Sequence, residues 1–548
     1  MQVHGPGFLA TSCLLACALS TQAAADASSA EPAVTITVKP ANRHPISPYV
    51  YGINNAQVTE GVPNALTLDR SGGNRWTAYN WENNASNAGS DWQFQNDDSL
   101  GSASEAGSGV SSLIAKDQKK GMASIVTFQL QGLVAADVKG PVAMNHPPDR
   151  SRFRKVVFEK KSVSQEPFTL KPSTSDANVY MDEFIWALDK KFAGQNIFGP
   201  HPTTQPVFAV LDNEPELWPT THKEVQGPNP MPADEFIERT IALATALKKQ
   251  FPDLVIFGPG NYGFMGMYNW NNGISASATA NNWFADKYMT ALKNAAASFG
   301  KPLVDVYDIH WYPEAQDGSG KRITTLSNPD LTDDQVRAIV QSPRSLWDKT
   351  YREKSWIMDV TGGQPIALLE RLQSRLDAQA PGMKLAITEY DNGGGQHIAG
   401  TLAQADNLGI FGSRGLFAAT IWLLSGKEPY TLAGFRAFRD FDGAGHNFGD
   451  ISIQATSSNV SDVVVYVSAD STQPDRVVMV AINRSNSEKT TRIVGQPLTG
   501  TAHLFQMTAA SAHGQGTIKP VPAGTQPVTE AALNLKLPAL SVTTLDIY

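Results

Sequence analysis

The sequence predicts an α/β protein, a (β/α)8 TIM-like barrel followed by a C-terminal antiparallel β-sandwich domain. Eight apolar runs of β type recur between residues 49 and 424, each followed by a polar loop and most by a segment of helical period. Beyond residue 450 the helical stripes stop, and short strand candidates follow one another between Ser, Asn, Gly and Pro.

Residues 1–25 read as a signal peptide. The apolar run from Phe8 to Leu19 leads into Ser20-Thr21-Gln22 and then Ala23-Ala24-Ala25, an A-x-A cleavage site before Asp26. Residues 1–7 contain His4 but no Lys or Arg, which is atypical of such segments. The run is too short to span a bilayer, and no later stretch is long and apolar enough to do so. Both cysteines, Cys13 and Cys17, lie here, so a chain starting near Asp26 has neither disulfide nor thiolate chemistry. Leu14-Leu15-Ala16-Cys17 also resembles a lipobox, a weaker reading in which Cys17 carries a lipid anchor. The expected location is extracellular.

Residues 26–44 form a short linker and the alternating strand Val34–Val38, which is assigned to the sandwich because chain ends often meet. Residues 45–450 carry the barrel, with strands expected at Tyr49–Ile53, Ala65–Asp69, Ala123–Phe128, Val207–Leu211, Leu254–Phe257, Val304–Ile309, Leu385–Thr388 and Thr420–Leu424. Between them, Phe236, Thr240, Leu243 and Leu247 form one helical stripe, and Ile366, Leu369, Leu372 and Leu376 another. About 250 residues suffice for a minimal barrel. Insertions are therefore expected at 101–109 and 137–178. Residues 451–548 supply the sandwich, with strands at Val463–Val467, Val477–Ile482, His503–Met507, Leu533–Leu537 and Val542–Ile547.

The 548 residues hold 44 Lys and Arg against 52 Asp and Glu, a formal charge of −8. Net acidity argues against a nucleic-acid partner, since phosphate neutralisation calls for clustered cations. The basic stretch Arg150, Arg152, Arg154, Lys155, Lys160 and Lys161 reads as a solvated loop, with a polyanion site as its alternative. Long neutral substrates fit this charge balance.

Strand four runs into Leu211-Asp212-Asn213-Glu214-Pro215, and strand seven into Thr388-Glu389-Tyr390-Asp391. C-terminal strand ends converge on one face of a barrel, so Glu214 and Glu389 are expected to face each other across its mouth. Paired carboxyls are what glycoside cleavage requires, one protonated for the leaving oxygen and one ionised at the sugar carbon. Arg70, ending strand two, is a candidate guanidinium partner that keeps Glu389 ionised. Asn213 is placed to donate to a sugar 2-hydroxyl. Alternation after strand six sends His310 and Tyr312 to one side, where either could bond a catalytic carboxylate. Glu216 and Asp391 read as supporting loop acids.

Leu211-Asp212-Asn213-Glu214-Pro215-Glu216-Leu217-Trp218 resembles the acid/base segment of glycoside hydrolase family 44, and Ile387-Thr388-Glu389-Tyr390 resembles its nucleophile segment. Tyr49-Val50-Tyr51-Gly52-Ile53-Asn54, the run from Gly72 to Trp81 and Asp308-Ile309-His310 extend the resemblance from about Val34 to the C-terminus. It implies a barrel plus sandwich, with Glu214 as acid/base, Glu389 as nucleophile, and retaining endo-cleavage of β-1,4-glucans such as cellulose derivatives and xyloglucan. Retention calls for carboxyl groups about 5–5.5 Å apart, and inversion for about 6.5–9.5 Å. The competing readings are another barrel glycosidase, a xylanase or arabinofuranosidase, and a noncatalytic carbohydrate-binding protein.

Trp76, Tyr79, Trp81, Trp92 and Trp218 follow strands two and four, and Trp76, Trp81 and Trp218 are the leading candidates for sugar platforms. No cofactor is expected. The ten histidines show no zinc spacing, and Asp440-Phe441-Asp442-Gly443 is only a fragment of a calcium loop, though a structural Ca2+ elsewhere fits the reading. A monomer is expected.

Overall fold

The computed structural model describes residues 34–101, 104–271, 282–510, 518–530 and 532–548. The signal-peptide segment and both cysteines lie outside these residues. No described helix is long and apolar enough to cross a membrane.

Eight parallel strands close into a barrel in chain order, from strand one (Gly52–Asn54) through Leu68–Ser71, Ala123–Phe128, Val207–Leu211, Ile256–Tyr262, Val306–Trp311 and Lys384–Tyr390 to strand eight (Ala418–Ile421). Each overlaps its expected run. These strands are buried on both faces, one packed by helices and the other by the barrel's own interior, so they read as continuous apolar stretches rather than alternating ones. Leu68, Ile125, Phe208, Val210, Phe257 and Val306 belong to one apolar cluster formed by the strands. Both predicted helical stripes are buried: Phe236, Thr240, Leu243 and Leu247 on the helix Ala233–Gln250, and Leu369, Leu372 and Leu376 on Leu368–Gln379. Ile366 is buried just ahead of the second helix.

The insertion after strand three is not a plain loop. It contains a small sheet of Leu133–Ala135, Phe153–Val157 and Asn178–Tyr180. The basic stretch within it is accordingly only partly a solvated loop: Arg150, Lys155 and Lys161 are exposed, but Arg154 and Lys155 lie on a strand. Lys160 is buried and donates to both carboxylate oxygens of Glu183 at 2.8 and 2.9 Å, and Arg152 pairs with Asp137 at 2.8 Å.

The C-terminal domain is one nine-stranded sheet that includes the N-terminal strand Val34–Pro45. Every neighbouring pair is antiparallel except Val34–Pro45 with Lys489–Val494. The sheet folds over so that its edge strands, Val521–Val528 and Leu533–Leu537, approach each other around a core of Val34, Ile36, Val465, Met479, Ile493 and Leu535. A buried polar joint ties it to the barrel: Tyr466 donates to Asp406 at 2.6 Å, and Arg484 pairs with the same carboxylate.

Candidate active site

After Leu211 the chain leaves the barrel through two residues in the left-handed region, Asp212 at φ 69° and Glu214 at φ 42°. Non-glycine residues there cost roughly 1–3 kcal/mol each and persist only where the surroundings over-determine them. Here they do. The Asp212 carboxylate accepts from Thr77 Oγ1 at 2.6 Å and from the backbone N–H groups of Leu130, Gln131 and Asn213 at 2.6, 2.9 and 2.9 Å. Glu214 donates its N–H to Gly260 O at 3.1 Å, and Trp218 Nε1 donates to Asn213 O at 3.1 Å.

This turn brings Glu214 Oε1 to 2.7 Å from His310 Nδ1, whose ring is 3.5 Å from Glu389 Oε2. His310 and Glu389 are directly paired on neighbouring strands six and seven. Glu389 is gripped at both oxygens, Oε1 by Arg70 Nη1 at 2.7 Å and Oε2 by the Tyr312 hydroxyl at 2.7 Å. One oxygen of each glutamate and one ring nitrogen of His310 all lie within 4.8 Å of one another.

The two carboxyls differ in proton affinity. Burial pushes Glu214 above its ordinary value, and the neighbouring Glu389 charge adds to this, against the hydrogen bond and charge of His310. Burial would raise Glu389 too, but the charges of His310 and Arg70, with hydrogen bonds from Arg70 and Tyr312, hold it below its ordinary value. His310 shows the same contest in reverse: burial lowers it, and the two glutamates more than restore it.

Arg70 is fully buried, with Nη1 also donating to Asn54 Oδ1 at 3.0 Å and Nη2 to Asn213 Oδ1 at 2.9 Å. Asn213 Oδ1 further accepts from the Gly73 N–H at 3.3 Å, which leaves Nδ2 as the donor end of the amide, 3.4 Å from Asn74 Oδ1. Gly72 and Gly73 are required here. A Cβ at Gly72 would stand 2.1 Å from Arg70 Nη1, and one at Gly73, where φ is +94°, 2.6 Å from the ring of Trp422.

The structure therefore brings together Glu214, Glu389, Arg70, Asn213, His310 and Tyr312. It does not bring in the three tryptophans. Trp76, Trp81 and Trp218 are buried in the core and are not sugar platforms. Trp81 stacks on Phe184 at 5.4 Å and donates to Tyr180 O; Trp76 packs edge-on against Tyr79; Trp218 packs edge-on against Phe236. Their rings stabilise the walls of the cleft from behind. Of that aromatic group, Trp92 is the one left open, at 57% exposure.

Two residues were missed by sequence reasoning. Asn54, ending strand one, spans Arg70 and the backbone carbonyls of Thr388, Thr420 and Ile421. Trp422, just beyond strand eight, is half-buried against Gly73. Their signal was position alone, the C-terminal ends of strands one and eight.

Glu216 does not face Glu389. It lies behind the acid/base turn, accepting from the Tyr262 N–H at 2.8 Å, and burial raises it to about 8. Among the described residues, Glu214, His310 and Glu389 form the one cluster with ligand spacing for a metal, but the Arg70 cation already occupies one side of Glu389. The acids of the Asp440–Gly443 loop are spent on their own turn: Asp440 accepts from the Gly445 N–H, and Asp442 from the N–H groups of Ala444 and His446.

The family model for glycoside hydrolase family 44 matches residues 85–315. Endoglucanase A of Paenibacillus lautus is 38% identical over 464 residues, covering 82% of this chain, and the chain spans 64% of that relative's length. A family 44 endoglucanase of Clostridium acetobutylium, solved by crystallography, superposes with a TM-score of 0.86 at 31% identity, covering 94% of this chain and 99% of the other. The chain belongs to glycoside hydrolase family 44. A family 44 xyloglucanase of Paenibacillus polymyxa, solved with xyloglucan, gives a TM-score of 0.84 at 32% identity, covering 94% and 99% of the two chains. These family 44 likenesses take in the barrel and the C-terminal sheet together.

Proposed function

We propose that this chain is a secreted, retaining, endo-acting glycoside hydrolase that cleaves β-1,4-glucan backbones, soluble cellulose and xyloglucan among them, by double displacement. The observation that carries this reading is the pair of carboxyls at one barrel mouth, with oxygens inside 4.8 Å and proton affinities pushed in opposite directions. That approach supports the short spacing of retaining pairs over the wider inverting one.

Glu389, ionised and oriented by Arg70 and Tyr312, attacks the anomeric carbon as the glycosidic C–O bond breaks and Glu214 gives its proton to the departing oxygen. The product is a glycosyl ester on Glu389. Water then attacks the same carbon, Glu214 takes the proton of that water, and the ester bond to Glu389 breaks. His310, touching both carboxyls, rebalances charge as the proton leaves and returns to Glu214. The donor end of Asn213, whose amide oxygen is held by Arg70, serves a sugar hydroxyl in this reading. The names of the relatives, an endoglucanase and a xyloglucanase, support the substrate class, and the apolar segment ending at Ala23-Ala24-Ala25 supports export.

The test is hydrolysis of soluble β-glucan by the purified protein beside Glu214→Gln and Glu389→Gln. Each variant should lose about a hundredfold or more in rate, while the parent collapses viscosity before much sugar is released. Equal activity in all three overturns the assignment. An aryl glycoside with an acidic leaving group should restore the first step in Glu214→Gln but not in Glu389→Gln.

A further inference from the structure

Glu216 takes no part in the proton transfers described above, yet it is 2% exposed and stands two residues beyond Glu214. Its Oε1 accepts from the Tyr262 N–H at 2.8 Å and from Asn261 Nδ2 at 3.3 Å. The Tyr307 hydroxyl donates to Asn261 Oδ1 at 3.1 Å, which fixes the amide with its donor end toward Glu216. Asn261 and Tyr262 end strand five, directly after the irregularity in its register with strand six between Pro259 and Asn261. Inside that irregularity, Gly260 O accepts the Glu214 N–H at 3.1 Å. Glu214 and Glu216 therefore bond to Gly260 and Tyr262 in opposite directions, and the two bonds close a ring across the ends of strands four and five.

The Glu214 backbone needs such support. At φ 42° it holds a conformation that a non-glycine residue keeps only where its surroundings impose it. The bonds from Leu130 and Gln131 to Asp212 steady the turn from the loop after strand three. We infer that Glu216 is a positioning residue: its carboxyl locks the end of strand five, and through Gly260 the backbone of Glu214, so that the acid/base proton is aimed at the departing oxygen. The inference rests on the hydrolase reading above. Oε1 does this work as an acceptor, while Oε2 is buried and has no hydrogen-bond partner among the described residues. Burial raises Glu216 to about 8, so near pH 6 it is an uncharged acid, and an amide matches it in charge and supplies the same acceptor.

A misaligned acid is felt only where the leaving group needs its proton. The test compares kcat/KM near pH 6 on cello-oligosaccharides, whose alcohol leaving group needs the proton, with kcat/KM on dinitrophenyl cellobioside, whose leaving group does not. Glu216→Ala should lose at least about tenfold on the first and less than about threefold on the second, and Glu216→Gln should stay within about threefold of the parent on both. A Cβ on Gly266, in the helix Gly263–Asn269, would collide with Glu216 Oε1, so Gly266→Ala displaces the carboxyl without changing it. It should show the same selective loss. Little more should be lost when it is added to Glu216→Ala, where the nearest remaining atom, Asn261 Cβ, is 3.3 Å away. Gly266→Ala carries the test even if Glu216→Ala does not fold. Equal losses on the two substrates, no loss in either alanine variant, or a Glu216→Gln as impaired as Glu216→Ala overturns the inference and leaves the hydrolase reading in place. A parent inactive on both substrates overturns both.

Discussion

Arg70 Nη1 and Glu389 Oε1 lie 2.7 Å apart with side-chain exposures of 0% and 7%, an ion pair inside the barrel mouth rather than on its rim. Removing one partner of a buried pair costs about 3–5 kcal/mol, because the other charge is left without compensation. Arg70→Met should therefore lower stability by that order in urea unfolding. Activity should fall with it, and the acid limb of the rate profile should move to higher pH as Glu389 loses a cation. An unchanged acid limb would remove Arg70 from the control of Glu389.

The pH profile of kcat/KM should be a bell. On the acid side activity is lost as Glu389, whose affinity for the proton is lowered, becomes protonated. On the alkaline side it is lost as Glu214, whose affinity is raised, gives its proton up. His310 lowers both groups. Its replacement in His310→Asn should move both limbs of the bell to higher pH, measured on one soluble glucan across pH 4–10. Movement of one limb alone would mean that His310 couples to a single glutamate.

The tryptophans separate by burial. Trp81→Ala empties a core site stacked on Phe184 and should cost about 3–5 kcal/mol. Trp92→Ala, at an exposed position, should stay within about 0.5 kcal/mol of the parent. Thermal melts of the two variants decide this, and comparable losses would contradict the burial described above.

The joint between barrel and sheet is equally open to test. Asp406 holds both Tyr466 and Arg484 in a buried setting, so Asp406→Ala strands an arginine inside the protein. A loss of about 3–5 kcal/mol in denaturant unfolding is expected. A loss under about 1 kcal/mol would show that the two domains are not coupled through this residue.

Much of this was legible in the residues. Parallel strands buried on both faces are contiguous apolar runs, so all eight barrel strands stood out. Three sheet strands did not: Ile451–Ser457, Lys489–Val494 and Val521–Val528 each leave several residues exposed, and the last carries two prolines. Glu214 and Glu389 were visible because an acid ending an apolar run has few structural uses. Alternation placed His310 and Tyr312 on one side but could not assign Tyr312 to Glu389 and His310 chiefly to Glu214. That choice is made by side-chain directions at the two strand ends. The side chosen by Trp76, Trp81 and Trp218 was invisible for a related reason: a tryptophan beside a strand end can face the cleft or the surrounding helices. Asn54 and Trp422 carry no motif of their own, and only closure of the barrel pairs strand one with strand eight and so brings Asn54 within reach of the strand-seven backbone.

Covalent trapping with a 2-deoxy-2-fluoro cello-oligosaccharyl fluoride, followed by peptide mass spectrometry, bears most directly on the division of roles between the two glutamates. The mass of one fluorosugar should appear on the peptide containing Glu389 and be absent from Glu389→Gln. A label on Glu214, or hydrolysis of glucan with no trapped ester under any condition, would contradict it.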